Sequence, residues 1–197
     1  MPKVIDHEQR RSEIIDATWR LIVQHGFAAA TMREIAAAAG FANGALKHYF
    51  PGKDEIIEGA FQRGLERTRR HIAEEVADKQ GIEALQAYVI SAMPMDAEAA
   101  EAARVLLSFW ESGLGSARLR GIYQDHLDQW KASLEALVAR CRADGSIRSA
   151  TSDADLAVEL ILMTTGATTM SVISPRLAAP GMLQRQIEGF FARVTPA

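Results

Sequence analysis

The chain has 197 residues, 48% of them apolar, so it can bury one substantial hydrophobic core or two small ones. Its formal net charge of −3 excludes a protein that is basic all over, so any contact with nucleic acid must depend on a local cluster of cations. A single cysteine excludes an internal disulfide framework, and we expect a cytoplasmic protein.

The N-terminal quarter of the chain predicts three helices. Apolar residues recur at three- and four-residue steps over residues 8–24, which indicates a first amphipathic helix. Thr31 and Glu34 form a capping-box pattern, which predicts a short helix that ends at Gly40. A third, short helix is predicted over residues 43–50, where a Pro-Gly pair follows and ends it.

The rest of the chain also has helical periodicity. A long amphipathic helix is predicted from Asp54 onward. Glycine and proline breaks separate five further predicted helices, over residues 81–93, 97–112, 117–142, 153–174 and 182–194. No strand pattern appears, so we predict an all-α fold of about nine helices. A three-helix domain over residues 1–53 would join a helical bundle over residues 54–197.

One stretch of the predicted bundle is apolar enough to raise the question of a membrane span. Residues 158–173 are interrupted by Glu159 and Gly166 and are fewer than the roughly 20 residues that a span requires. The N-terminal run MPKVIDHEQRR lacks the apolar segment of a signal peptide. We therefore interpret residues 158–173 as a buried helix and expect no membrane partner.

Small and large residues between positions 31 and 50 have the spacing of a helix-turn-helix. Ala36 leaves room for a crossing helix, Gly40 permits a positive φ in the turn, and Leu46 faces back into the core. Such a motif places the start of its second helix in the major groove of DNA. An ordinary helical hairpin with solvated Lys and His side chains is the alternative.

The helix-turn-helix interpretation yields two sets of candidate DNA contacts. The groove-facing candidates are Asn43, Gly44, Ala45, Lys47 and His48. The candidates for contact with the phosphate backbone are Thr31, Tyr49 and Lys53, and Arg33 adds to the local positive charge of the protein there. The Lys47 ammonium group can donate a hydrogen bond to guanine or bind a neighbouring phosphate, and both possibilities stay open.

The run TMREIAAAAGFANGALKHYFPGKDEIIEGAF resembles the N-terminal domain of the tetracycline-repressor (TetR) family, and with the first helix the resemblance covers about residues 8–60. The matching positions are Thr31, Ile35, Ala36, Ala39, Gly40, Gly44, Leu46, His48, Tyr49, Phe50 and Lys53. Ala42 stands where the family often has Ser or Thr, and Lys47 where many members have Tyr. The resemblance implies double-stranded operator DNA as a partner. Because of Lys47, the base preference of this chain should differ from that of members with Tyr at this position.

Beyond residue 80, scattered positions around Phe109-Trp110 and Trp130 resemble the BetI-type C-terminal domain of that family. The resemblance implies a small-molecule effector, apolar or an organic cation, and a homodimer formed by the last two helices. The candidate effector residues are Met93, Phe109, Trp110, Tyr123, Trp130 and Met163. Trp110 beside Glu111 suits a cation, although the same rings can equally pack a plain core.

The last two predicted helices carry apolar stripes that a monomer would leave partly exposed. The predicted dimerisation residues are Leu156, Leu160, Met163, Ala167 and Met170, with Leu183, Ile187, Phe190 and Phe191. Two copies would pair these stripes in an isologous four-helix interface.

An enzyme is the main competing class. Against an enzyme, the five histidines of the chain are scattered and no zinc-binding motif occurs. The Gly-x-Gly at residues 113–115 follows no predicted strand, so it does not indicate a phosphate-binding loop. We expect no catalytic residues, no metal and no cofactor. The predicted function is a ligand-responsive repressor that an effector releases from a palindromic operator. The alternatives are an activator of the same family and a helical ligand-binding protein that does not bind DNA.

Overall fold

The computed structural model describes residues 7–42 and 44–196, apart from the side chains of residues 98 and 111–114. These residues form α-helices and short 3-10 helices, and none of them lies in a strand. The α-helices are α1 (His7–His25), α2 (Met32–Ala39), α3 (Lys53–Val76), α4 (Gly81–Ser91), α5 (Ala97–Gly115), α6 (Ala117–Ala143), α7 (Asp153–Ile173) and α8 (Pro180–Val194). The 3-10 helices are Phe27–Ala29 and Ala45–His48. The prediction of an all-α fold is confirmed.

The largest difference from the predicted elements is in the second helix of the helix-turn-helix. Instead of an α-helix over residues 43–50, the described chain forms the 3-10 helix Ala45–His48. Its N-cap is Gly44, which offers no side-chain cap, and Asn43, where the predicted helix begins, lies outside the described residues. The observed helix is four residues long, and helices of three to four residues commonly adopt 3-10 geometry.

The chain divides into two compact units. The first comprises residues 1–67 and 105–119, and the second comprises residues 68–104 and 120–197. The first unit therefore takes in more of α3 than the predicted domain of residues 1–53, together with the end of α5. The functional boundary at residue 53 stays a prediction.

The core of the first unit orients the helix-turn-helix. Ile14 on α1, Ile35 on α2 and Ile56 on α3 are all fully buried. A Cβ at Gly59 would lie 2.6 Å from Ile15 Cδ1, and one at Gly64 would overlap the Trp19 ring. Glycine at these positions thus lets α3 approach α1 closely.

The second unit has an aliphatic core contributed by α4, α6, α7 and α8. Leu156 and Leu160 on α7 are fully buried there, whereas Leu162 is 66% and Ile173 is 70% exposed. The interpretation of residues 158–173 as a buried helix therefore holds for one face of α7 only. Because α7 begins at Asp153, it is also long and apolar enough, by length and composition alone, to cross a membrane. The length of residues 158–173 therefore does not by itself exclude a span, and a helix that packs in a protein core passes the same test of length and composition.

Candidate nucleic-acid interface and effector site

The turn of the helix-turn-helix is a Schellman motif centred on Gly40. Gly40 has φ 75° and ψ 27°, the left-handed conformation that glycine adopts without steric cost. The amide of Phe41 donates to the carbonyl of Ala36 at 2.8 Å, and that of Gly40 donates to Ala37 at 3.2 Å. The positive φ inferred from residue spacing is therefore present.

The segment after this turn presents the predicted base-contacting side chains. We call residues 44–49 the recognition turn. Leu46 is fully buried and Phe50 is 1% exposed, so both face the core, as expected of this motif. Lys47 and His48 are exposed, whereas Ala45 is half-buried.

The predicted phosphate contacts lie around the recognition turn. The Thr31 hydroxyl caps α2 by accepting a hydrogen bond from the Glu34 amide at 3.3 Å. Glu34 does not complete the predicted capping box, because its carboxylate pairs with Arg33 at 3.0 Å instead. Lys53 begins α3, and its Nζ lies 5.4 Å from the centre of the Phe27 ring.

Two residues of α1 that sequence reasoning missed contact the recognition turn. His7 Nε2 lies 3.2 Å from the carbonyl oxygen of His48, and the Arg11 guanidinium donates to the carbonyl of Tyr49. Their spacing of four residues puts both on one side of α1, but no sequence signal indicated what that side contacts.

A second group lies on α6 and joins the predicted Trp130 to His126, which sequence reasoning missed. His126 Nδ1 and Trp130 Nε1 are both buried without a hydrogen-bond partner, and the two rings stack at 6.0 Å. Burial, together with the charge of Arg69, lowers the pKa of His126 to about 4, so this imidazole is neutral at pH 7. Buried polar atoms without partners are uncommon in folded proteins, which makes this pair notable.

Comparison with known proteins covers most of the chain in two parts. Residues 14–60 match the family model of bacterial regulatory proteins of the TetR family. Residues 81–196 match the model of the C-terminal domain of BetI-type transcriptional repressors. The second match alone spans more than half of the 197 residues.

The chain belongs to the TetR family of bacterial regulatory proteins.

Similar proteins support this assignment. The regulator PksA of Bacillus subtilis is 46% identical over 72 residues, a match that spans 36% of this chain and 35% of PksA. BetI of Burkholderia ambifaria is 29% identical over 157 residues, covering 77% of this chain and 79% of BetI. A regulator of Saccharomonospora viridis, solved in complex with choline, superposes with a TM-score of 0.85 at 20% identity over 96% of this chain and 100% of that one. At that identity the superposition shows a shared fold.

Proteins of this family are ligand-responsive, DNA-binding transcriptional regulators, and the regulator described here has the corresponding all-helical architecture with an N-terminal helix-turn-helix.

The predicted effector residues of this TetR-family regulator are divided between its two compact units. Phe109 and Trp110 belong to the first unit, where Phe109 stacks on Phe61 at 4.9 Å and on Trp19 at 6.2 Å. The other four belong to the second unit: buried Met93 and half-buried Tyr123, Trp130 and Met163. The Glu111 side chain, suggested as a partner for a cation, lies outside the described part of the chain. The assignment of these residues to an effector pocket stays a prediction.

The predicted dimerisation residues lie in the core of the protomer or against it. Seven are no more than 7% exposed: Leu156, Leu160, Ala167, Leu183, Ile187, Phe190 and Phe191. Met163 and Met170 are half-buried and pack against the same core. The apolar side chains that α7 leaves exposed are Val158, Leu162 and Ile173. The sequence pattern therefore identified the inward face of the last two helices, because that face carries the stronger apolar periodicity.

Proposed function

We propose that this regulator is a repressor that binds a near-palindromic operator as a homodimer and leaves it when a small-molecule effector binds. The main support for operator binding is the recognition turn, which exposes Lys47 and His48 and is anchored by buried Leu46. Cationic side chains on such a segment suit the base edges and phosphates of a major groove.

For the dimer, we infer an interface on the outward face of α7. Val158, Leu162 and Ile173 are 39%, 66% and 70% exposed, and their spacing puts them within one stripe of the helix. Exposed apolar side chains aligned on one face of a helix commonly mark a protein–protein contact, so a second copy is the occupant that we propose. The same stripe on two copies gives a two-fold interface, which matches the symmetry of a palindromic site.

For the effector, we infer a site that includes His126 and Trp130. The indole N–H can only donate, and neutral His126 can donate from Nδ1 in the appropriate tautomer. Both atoms would then be satisfied by an oxygen acceptor on the ligand. The positive charge of Arg69 opposes a cation at this pair. We therefore favour an effector with an apolar body and a hydroxyl, carbonyl or carboxylate oxygen, and an organic cation must keep its charge away from Arg69.

Footprinting of the full-length protein on the DNA upstream of its own gene tests operator binding. We expect protection of two related half-sites whose centres lie roughly 34 Å, or a multiple of that distance, apart. Protection of one asymmetric half-site by a monomer would contradict the dimer. If no duplex is preferred over scrambled DNA, the alternative of a ligand-binding protein without DNA binding is correct.

A reporter gene placed behind the protected DNA separates repression from activation. We expect expression to rise when the regulator is deleted, because a repressor excludes polymerase from the promoter. A fall in expression on deletion would identify an activator.

A further inference from the structure

The recognition turn is too short to maintain its own conformation. It contains a single 3-10 helix of four residues, whose hydrogen-bond geometry is poorer than that of an α-helix. The amides of Tyr49 and Phe50 both donate to the carbonyl of Leu46 at 2.9 Å, which closes the turn. A helix this short is marginal in water, so contacts from outside it must hold its orientation.

The buried Leu46 side chain and a ring contact between Phe41 and Tyr49 at 5.6 Å supply part of them, and the contacts to the turn's terminal carbonyls come from the first two turns of α1. A helix leaves its last carbonyl groups without partners inside the helix. Here His7 Nε2 lies 3.2 Å from the His48 carbonyl, and the Arg11 guanidinium donates to the Tyr49 carbonyl. Both carbonyls at the end of the recognition turn are thus bonded by a different helix.

Ring contacts reinforce the two hydrogen bonds. The Arg11 guanidinium carbon lies 4.2 Å from the centre of the Phe50 ring, close enough for a cation–π contact. The His7 and Tyr49 ring centres are 4.8 Å apart. A cation at the C-terminal end of a helix also complements the partial negative charge of the free carbonyls. Arginine suits this position because one planar group can donate and stack at once.

We propose that His7 and Arg11 are positioning residues for operator recognition, forming a cap, here called the α1 cap, that fixes the orientation of the recognition turn. The proposal rests on the function proposed above, in which this turn reads the operator. The α1 cap touches no DNA itself. It determines whether Lys47 and His48 reach base edges in register, and it makes the start of α1 a determinant of sequence specificity.

The proposal predicts different effects on two quantities, the affinity for the operator and the affinity for scrambled DNA. Loss of a direct phosphate contact would lower both together. Phosphate-contact candidates outside the recognition turn, such as Thr31 and Lys53, do not depend on the cap. Loss of the cap should therefore weaken binding to the operator while binding to scrambled DNA is retained. The dependence on salt should also persist, because it reports the number of phosphates neutralised.

The test compares Arg11→Met with Arg20→Met in the full-length protein. Arg20 is an exposed arginine on the same helix and serves as the matched control. Dissociation constants for the operator and for a scrambled duplex of equal length are measured over a range of salt concentrations. We expect Arg11→Met to lower the operator preference roughly tenfold, as loss of one good base contact would, with the salt slope unchanged. Arg11→Lys should recover part of that preference, and Arg20→Met should retain all of it.

Two results overturn the proposal. If Arg11→Met weakens both duplexes equally and flattens the salt slope by about 0.9 per protomer, Arg11 holds a phosphate. If the operator preference is unchanged, the cap does not position the turn. Should Arg11→Met fail to fold, as circular dichroism would show, His7→Phe and Arg11→Lys decide instead. His7→Phe keeps a ring beside Tyr49 and removes the hydrogen bond, and an unchanged preference in both variants overturns the proposal.

Amide hydrogen exchange tests the cap even if no operator is found. The amides of Tyr49 and Phe50 close the recognition turn, so they should exchange faster in Arg11→Met than in Arg20→Met. Equal exchange in the two variants would show that the α1 cap does not hold the turn. Failure of the proposed function would instead appear in the wild-type protein, as a lack of preference for any duplex.

Discussion

The recognition turn and the second compact unit differ in how their polar and apolar groups are satisfied. The last carbonyls of the recognition turn, those of His48 and Tyr49, each have a partner on α1. In the second unit, His126 Nδ1 and Trp130 Nε1 have none, and Leu162 is two-thirds exposed. The recognition turn is thus prepared to bind without rearranging, whereas the second unit has groups that a ligand or a second copy would complete.

The difference indicates a division of labour within one chain. A rigid reading element gives a regulator its sequence preference, because a base contact is worth little if its position varies. A responsive unit needs groups whose surroundings change when a ligand or a partner arrives. Substitutions in one unit therefore test which properties depend on that unit.

The largest effect is expected from a charge on the exposed face of α7. Leu162→Arg would bring two like charges together at the two-fold interface, so we expect monomers in analytical ultracentrifugation. Operator affinity should fall by roughly 100-fold or more, since each monomer then holds only one half-site. Ile90→Arg, at an exposed apolar position on α4, is the control and should remain dimeric. A dimeric Leu162→Arg protein would place the interface elsewhere.

Gly40→Val should damage the first unit and spare the second. A β-branched residue at φ 75° costs roughly 1–3 kcal/mol, so we expect a lower melting temperature together with lost operator binding. Gly44→Val is the control for folding, because Gly44 has φ −76° and open space around its Cα. Dimerisation should be unchanged in both variants. A normal melting temperature for Gly40→Val would mean that the turn tolerates a side chain.

Salt dependence measures how much of the binding comes from phosphates around the recognition turn. If each protomer neutralises about four phosphates, the logarithm of the binding constant should fall with the logarithm of salt concentration at a slope near −7. Lys53→Ala should reduce the steepness by about 0.9 per protomer without changing the preferred sequence. Arg185→Ala, an exposed position on α8, should have no effect. A wild-type slope near zero would contradict backbone contacts by the first unit.

The smallest effect is expected on the pH dependence of thermal stability, through protonation of His126. Its pKa is lowered to about 4 in the folded protein, below the ordinary value of 6.5, so the unfolded chain binds the extra proton first. Stability contributed by the neutral imidazole is complete above about pH 6.5 and is lost as the pH falls toward 4. His126→Phe should therefore lose less thermal stability than wild type between pH 7 and pH 4.5. His71→Phe, at an exposed position on α3, should match wild type. Equal losses of thermal stability in wild type, His126→Phe and His71→Phe would contradict the lowered pKa of His126.

The sequence predicted the helix-turn-helix well because its determinants are local. Gly40 must adopt a positive φ and Leu46 must face the core, and both requirements can be read from spacing. The α1 cap could not be predicted, since it depends on how α1 packs against the recognition turn. The 3-10 geometry of Ala45–His48 was also missed, because helical periodicity over one turn does not distinguish it from an α-helix.

In the second unit the same reasoning located the helices, while the dimerisation role of their apolar stripes stays a prediction. Leu156 and Leu160 form an apolar stripe whether it faces a core or a partner, and in the structure they are fully buried in the protomer. The outward stripe that includes Leu162 is shorter and contains threonines, so it gave a weaker signal. His126 carried no signal of its own, because an unsatisfied buried nitrogen is a property of the packed structure.

Base reading by the recognition turn is tested most directly by Lys47→Ala, measured on the preferred operator and on duplexes altered at single base pairs. Lys47 is exposed, and Leu46 beside it is fully buried and anchors the turn. We expect a loss of roughly 1–3 kcal/mol on the preferred operator and a much smaller loss on the duplex altered at the pair that Lys47 reads. Equal losses on every duplex, vanishing at high salt, would show that Lys47 holds a phosphate and would contradict base reading by this side chain.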